Sequence, residues 1–373
     1  MINIDKISPD VLTSVNTLEC KDNYVIVYAS DFNKVKKYLN QHRLEYIPYR
    51  FASSFYIRVD KEDLGELSNL ASVEYIHANT LVLTHNRESD IMNISKLTEN
   101  KYLGQGQTIC YIDTGLYPHF DFIFPKNRII KFIDLMDGKH IPYDDNGHGT
   151  FVAGIGSGHG VIRCDNIGIA PRSNVIMLKA LSSKGSSNSN VILDAMQWIY
   201  ENHKVYNISV VCMSFGADIL TDIDPLSKGA ESLWKRGIIV VAAAGNSGPK
   251  KSTIKSPGNN KYIITVGAMN TDLTVADFSS RGPTLTGHKP DLIAPAVSIS
   301  NCNNSCPPYT EMSGTSVATP IIAGICAVIK SRYPNMNNNE IKQFLLNHCI
   351  PITNNPDIEG AGYINFANFQ EKQ

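Results

Sequence analysis

Four short blocks carry side chains able to do chemistry. Asp113 closes Tyr111-Ile112-Asp113-Thr114-Gly115, and His148 sits between two glycines in Asp144-Asp145-Asn146-Gly147-His148-Gly149-Thr150. Asn246 follows an apolar run in Ala242-Ala243-Ala244-Gly245-Asn246-Ser247-Gly248, and Ser316 stands two residues after Gly314 in Ser313-Gly314-Thr315-Ser316-Val317-Ala318-Thr319-Pro320. Each has an ordinary reading: Asp and Asn before Gly form turns, Ser at a helix start is an N-cap, and a loop His can bind metal. Together they supply acyl transfer: a hydroxyl to attack a carbonyl, an imidazole to take and return the proton, and a carboxylate to orient the imidazole. An amide, with the Ser316 N–H, completes the set by holding an oxyanion.

These residues need a scaffold that delivers them to one place. From Thr108 onward, continuous apolar strand-like runs alternate with helical segments: Thr108–Ile112, Val175–Leu178, Ile208–Met213, Ile238–Ala243 and Ile263–Val266. Such runs predict a mostly parallel sheet buried on both faces, with active groups gathered at the carboxyl ends of its strands. The apolar segment Val317–Ile329 reads as a buried helix, with Pro320 in its first turn. Ahead of this lies a different pattern. Tyr24–Tyr28, Phe32–Leu39, Tyr46–Phe51, Ser54–Val59, Leu64–Leu70 and Val73–Ile76 alternate as β-α-β-β-α-β, a small ferredoxin-like α+β domain. Residues 1–20 read as a loose lead-in and 84–106 as a linker with a cleavage region at Asn86–Asp90, so the expected domains are 1–86 and 87–373.

Lys plus Arg (34) balances Asp plus Glu (35), which leaves no electrostatic case for nucleic acid or an anionic membrane as partner. Neither a signal peptide nor a run long enough to span a bilayer is evident, and the expectation is a cytoplasmic protein with reduced thiols. Of the cysteines, Cys110, Cys212 and Cys326 read as buried thiols. Cys302 and Cys306 are close enough for a disulfide or half a metal site, without a second pair to complete a zinc tetrahedron.

The four blocks and their Asp…His…Ser order resemble the signature blocks of subtilisin-like serine proteases (peptidase family S8), over nearly all of residues 100–370. The resemblance implies a three-layer α/β catalytic domain with Asp113, His148 and Ser316 as the triad and Asn246 with Ser316 as the oxyanion hole. It also implies substrate-binding walls at Ser214-Phe215-Gly216 and Ala243-Ala244-Gly245, a weaker flank at Lys184-Gly185-Ser186, and no cofactor for the chemistry. The first domain is similar to the family's inhibitor-type propeptide, which implies a zymogen that cuts itself near residues 82–90 and a protein or peptide substrate. This sequence departs from the pattern at Phe151 and Ile321, where relatives carry His, and at Lys255, where many carry Gly. Asp121 matches a family calcium ligand, but the stretch around Val161–Asn166 does not align with the others. Two rivals remain: a catalytically silent pseudoprotease acting as a binding or regulatory protein, and a metal hydrolase using His148 with Asp144 or Asp145.

Overall fold

The structure is a computed structural model that describes residues 2–8, 11, 23–78, 91–98, 101–219 and 224–369. Two compact units divide at residue 85, with Val161–Arg163 counted with the first.

In the first unit, β1 (Asn23–Ala29), β2 (Tyr46–Tyr49), β3 (Ser54–Val59) and β4 (Val73–Ala78) form an antiparallel sheet in the order β2-β3-β1-β4. Alternate residues Val25 and Val27 of β1 and Phe55, Ile57 and Val59 of β3 are buried, as a sheet covered on one face requires. Helices α1 (Phe32–Gln41) and α2 (Lys61–Asn69) contribute Val35, Leu39, Leu64 and Leu67 to the same core. Both start at Asp caps: Asp31 accepts from the Lys34 amide at 3.1 Å and Asp60 from the Asp63 amide at 2.8 Å. The lead-in is less loose than its composition suggests. Ile7 is buried in this core and bridges Ile76, while the stretch 12–20 lies outside the described residues.

The second unit is built on a nine-stranded sheet in the order β14-β15-β11-β10-β9-β8-β5-β7-β6. Its central strands are β5 (Thr108–Asp113), β6 (Ile129–Asp134), β7 (Asn174–Lys179), β8 (Ile208–Met213), β9 (Ile239–Ala243), β10 (Ile264–Met269) and β11 (Leu292–Pro295), and they pair in parallel. Every residue of β5, β9 and β10 is buried, because helices cover both faces. The short strands β14 (Cys349–Ile350) and β15 (Tyr363–Ile364) finish the sheet, and β12 (Ile299–Cys302) and β13 (Tyr309–Met312) form a separate antiparallel hairpin.

Strand order reverses at β5, which lies between β7 and β8 although β6 follows it in sequence. A crevice opens at such a switch point beyond the carboxyl ends of the strands. Asp113 pairs with Lys179, Ile112 with Met213, and Met213 with Ala242, so the chain leaves β5, β8 and β9 at one edge of the sheet.

The longer helices described on this unit are α3 (His148–Ser157), α4 (Ser189–Asn202), α5 (Pro225–Lys235), α6 (Thr315–Arg332) and α7 (Asn338–Asn347). The apolar segment after Ser316 is α6, buried nearly all round. It begins at Thr315, so Pro320 is its sixth residue and lies beyond the first turn. Proline there has no N–H for the Ser316 carbonyl, four residues earlier. The expected linker also folds in part: Met92, Ile94 and Leu97 are buried, and Arg332 Nη1 donates to the Leu97 carbonyl at 2.6 Å. Asn86–Asp90 lies outside the described residues. Among the described residues no helix is long and apolar enough to cross a membrane.

Candidate active site

Asp113 ends β5 and is 1% exposed. Its Oδ1 accepts from the Thr114 amide at 2.7 Å and contacts His148 Nδ1 at 2.8 Å, while Oδ2 is buried without a hydrogen bond. The imidazole therefore provides the nearest countercharge when it is protonated. Burial opposes a charge on His148, but the Asp113 charge and hydrogen bond, with Asp144 adding to them, outweigh it and raise the His148 pKa above the usual 6.5. Because Nδ1 faces the carboxylate, Nε2 is the nitrogen left for a substrate-side proton.

The turn that presents His148 is held by Asp144. One Asp144 oxygen accepts from Thr114 Oγ1 and from the amides of Asn146 and Gly147 at 2.9–3.1 Å. The other accepts from the Thr150 amide at 2.9 Å and its hydroxyl at 2.7 Å. Thr114 Oγ1 in turn accepts from the Gly149 amide at 2.9 Å, which ties the end of β5 to the start of α3. A Cβ at Gly149 would lie 2.2 Å from the Gly115 carbonyl oxygen, so only glycine permits this approach. Asp145 is engaged elsewhere, paired with Lys179 at 2.7 Å. Both acids are committed in this way, and among the described residues they form no metal-holding cluster with His148, so the metal-hydrolase rival loses its donor set.

Asn246 leaves β9 two residues after Ala244. Its Oδ1 accepts from the Thr315 amide at 2.9 Å and the Thr315 hydroxyl at 3.0 Å, and that hydroxyl accepts from the Gly245 amide at 3.1 Å. Pinning the oxygen turns Nδ2 outward. Gly314, at φ +152°, marks the consequence. A Cβ there would lie 3.1 Å from Ser316 Oγ and 3.3 Å from Asn246 Nδ2, so the hydroxyl and the amide donor border the same small space. Ser316 is half-buried in the first turn of α6.

His148, Asn246 and Ser316 line one cleft of about 340 Å³, together with Ser214, Phe215, Gly216, Ala243, Gly245, Gly185 and Lys255. Ala244 is fully buried behind this wall, and its carbonyl accepts from the Lys255 amide at 2.9 Å. Lys255 packs its stem across the cleft. A Cβ at Gly216 would meet Lys255 Cβ at 2.7 Å, and one at Gly245 would meet Lys255 Cγ at 2.5 Å. Its ammonium pairs with the exposed Asp218, whose carboxyl pKa it lowers. Asp121 lies outside this cleft. It is fully buried among His119, Cys302 and Tyr309, and a calcium ion, which takes six to eight oxygen ligands, does not fit that donor set. Cys302 is a buried free thiol, and Cys306 is exposed. Phe151, in place of the usual His, is completely buried in α3.

The sequence model of the subtilase family matches residues 104–362, well over half of the chain. The chain belongs to the subtilase family. It is 38% identical over 337 residues to serine protease AprX of Bacillus subtilis, covering 82% of this chain and 75% of that protein. Identity to subtilisin DY of Bacillus licheniformis is 32% over 262 residues, covering 68% and 88%. Among solved structures, sphericase aligns at a TM-score of 0.63 with 26% identity over 73% of this chain and 96% of its own. S41 psychrophilic protease aligns at 0.64 with 27% identity and the same coverage. This subtilase is thus a subtilisin-like serine protease of peptide or protein substrates, with the expected α/β fold, and subtilases need no cofactor for catalysis. Zymogen processing is typical of the family, and nothing among these relatives favours the pseudoprotease alternative.

Sequence reading missed the positioning groups Asp144, Thr114 and Thr315. An Asp ahead of Asn-Gly is a recognisable turn signal, whereas the Thr315 bridge to Asn246 joins residues 69 apart and leaves no local mark.

Two outcomes follow from this arrangement. Catalysis needs His148 neutral, so kcat/KM falls with acidification through its raised pKa, and the acid limb of the pH profile has its midpoint above 6.5. Asp113→Asn moves that midpoint down and cuts turnover by roughly 10⁴-fold, as the same change does in another Asp-His-Ser enzyme. A midpoint unmoved by the substitution would show that the carboxylate does not govern the imidazole. Asn246→Ala lowers kcat by about 10²–10³-fold with little change in KM, the loss already known for a subtilisin oxyanion amide; steady-state kinetics on one peptide measures both.

Proposed function

We propose that this subtilase is an endopeptidase zymogen in which Ser316 Oγ attacks the scissile carbonyl and forms an acyl-enzyme. His148 takes the hydroxyl proton at Nε2 and passes it to the leaving amine; Asp113 orients the ring and stabilises its cation. Asn246 Nδ2 and the Ser316 amide receive the oxyanion. The observation that carries this reading is the 2.8 Å contact of Asp113 with His148 beside a cleft that His148, Asn246 and Ser316 line together. Ser214–Gly216 continues beyond the last ladder pair of β8 and supports a role as the edge that receives an extended peptide. The unit at 1–86 acts as the chain's own inhibitor-type propeptide, and the catalytic unit cuts itself near residues 82–90, which lie outside the described residues.

Ser316→Ala protein stays at full length on prolonged incubation, and the unmutated chain shortens and is labelled at Ser316 by a serine-directed phosphonate. Processing that continued in pure Ser316→Ala protein would refute self-cleavage.

The Lys255 stem between Gly216 and Gly245 supports a preference for acidic or polar P1 side chains over large apolar ones. Lys255→Gly lowers the Glu-to-Phe ratio of kcat/KM about tenfold, the order of one charge-assisted hydrogen bond at a partly shielded site. Asp218→Asn, which releases the ammonium, raises the same ratio. Equal turnover of paired peptides differing only in a P1 Glu or Phe would remove the preference.

A further inference from the structure

Away from the cleft, one buried cluster has no part in the acyl-transfer chemistry. His119, Asp121 and Cys302 present an imidazole nitrogen, a carboxylate oxygen and a thiol within 4.8 Å of one another, and all three residues are buried. His119 Nδ1 lies 3.7 Å from Asp121 Oδ1, and Cys302 Sγ lies 3.5 Å from Asp121 Oδ2. A tetrahedral zinc ion, with bonds of about 2.0–2.3 Å, sets its ligands roughly 3.3–3.8 Å apart; His119 and Cys302 each reach one Asp121 oxygen at such a spacing, and a small turn of the carboxylate brings a single oxygen to both.

The groups behind these donors are of the kind that orient metal ligands. His119 Nε2 meets the Pro308 carbonyl at 3.0 Å, which assigns the proton to Nε2 and leaves the Nδ1 lone pair facing Asp121. That lone pair accepts from the Asp121 amide at 3.2 Å, a bond the metal would replace. The Tyr309 hydroxyl lies 3.1 Å from each Asp121 oxygen, so one oxygen can hold a metal while the other keeps its donor. Arg128, which donates to the Asp121 and Ser173 carbonyls, adds a positive charge next to the cluster, so a single carboxylate would be a poor cation site. Ionising the thiol adds the second negative charge, and its proton leaves to solvent.

We propose that His119, Asp121 and Cys302 bind a borderline-soft divalent cation of the zinc type, at a position where the family resemblance left structural calcium open. The thiol and imidazole select the ion: soft donors favour zinc, and calcium takes oxygens. The site joins the turn after β5 to the β12–β13 hairpin, which leads through Gly314 into the nucleophile turn. Its role is to brace that hairpin; it donates nothing to the reaction.

The test uses the full-length chain with Ser316→Ala, which cannot degrade itself, and with the exposed Cys164 and Cys306 replaced by serine. After chelator treatment and dialysis, zinc uptake is read by calorimetry and elemental analysis, and cobalt(II) by absorbance. One zinc per chain, a thiolate-to-cobalt charge-transfer band and a higher Tm with zinc are expected. Cys302→Ser and His119→Ala each abolish uptake. The cobalt band is read on a chain that retains Cys302 and His119, so it decides the question even if those two variants misfold. No stoichiometric uptake, uptake without a thiolate band, uptake unchanged by Cys302→Ser in a folded variant, or calcium binding that zinc does not displace would each overturn the site.

Discussion

One constraint organises the molecule: a carboxylate buried at the end of the central strand must be held against an imidazole. Burying a lone charge is costly, and here one Asp113 oxygen has no hydrogen bond at all. Its remaining partners are a backbone amide and His148, so the carboxylate and the imidazole depend on each other. The same coupling that raises the His148 pKa also fixes which nitrogen faces the substrate. An imidazole turned the other way would have the wrong nitrogen in the cleft, however close it lay.

That pairing is possible because the parallel sheet reverses its winding at β5. β8 and β9 end level with β5, so the carboxylate, the Ser214–Gly216 edge and the Asn246 turn emerge together. α6 then runs against the sheet with an almost wholly apolar surface, and its first turn brings Ser316 to the same edge. A helix with a polar face could not take this path, because unpaired polar groups would be buried beneath the strands. The cleft is therefore a by-product of how a doubly covered sheet must be packed, to which four chemical side chains have been added.

Polar groups secure the joints that apolar packing leaves loose. Asp144 ties the loop that presents His148 to Thr114 at the end of β5, and Thr315 links the nucleophile turn to Asn246. Neither is a reacting group, yet both determine where the reacting atoms point. The His119–Asp121–Cys302 cluster occupies a comparable joint between the turn after β5 and the hairpin before α6.

Much of this was legible in the chain itself. Asp113, His148, Asn246 and Ser316 stand in short blocks whose residue types and Gly neighbours mark the ends of strands and the starts of helices, since local backbone demands are written locally. The β-α-β-β-α-β order and the continuous apolar runs likewise separated a small α+β domain from a large buried sheet. What the sequence could not decide were facts that depend on distant residues meeting. Pro320 looked like a first-turn proline because helix starts are set by caps and packing, and the true start at Thr315 places it further in. Structural calcium at Asp121 was left open by the sequence, because the thiol of Cys302 that lies beside it comes from 181 residues away. The contact of Lys255 with both Gly216 and Gly245 exists only where three loops converge. By itself the sequence determined which groups could do the chemistry; tertiary packing decided which of them face one another, because distance and burial belong to the fold.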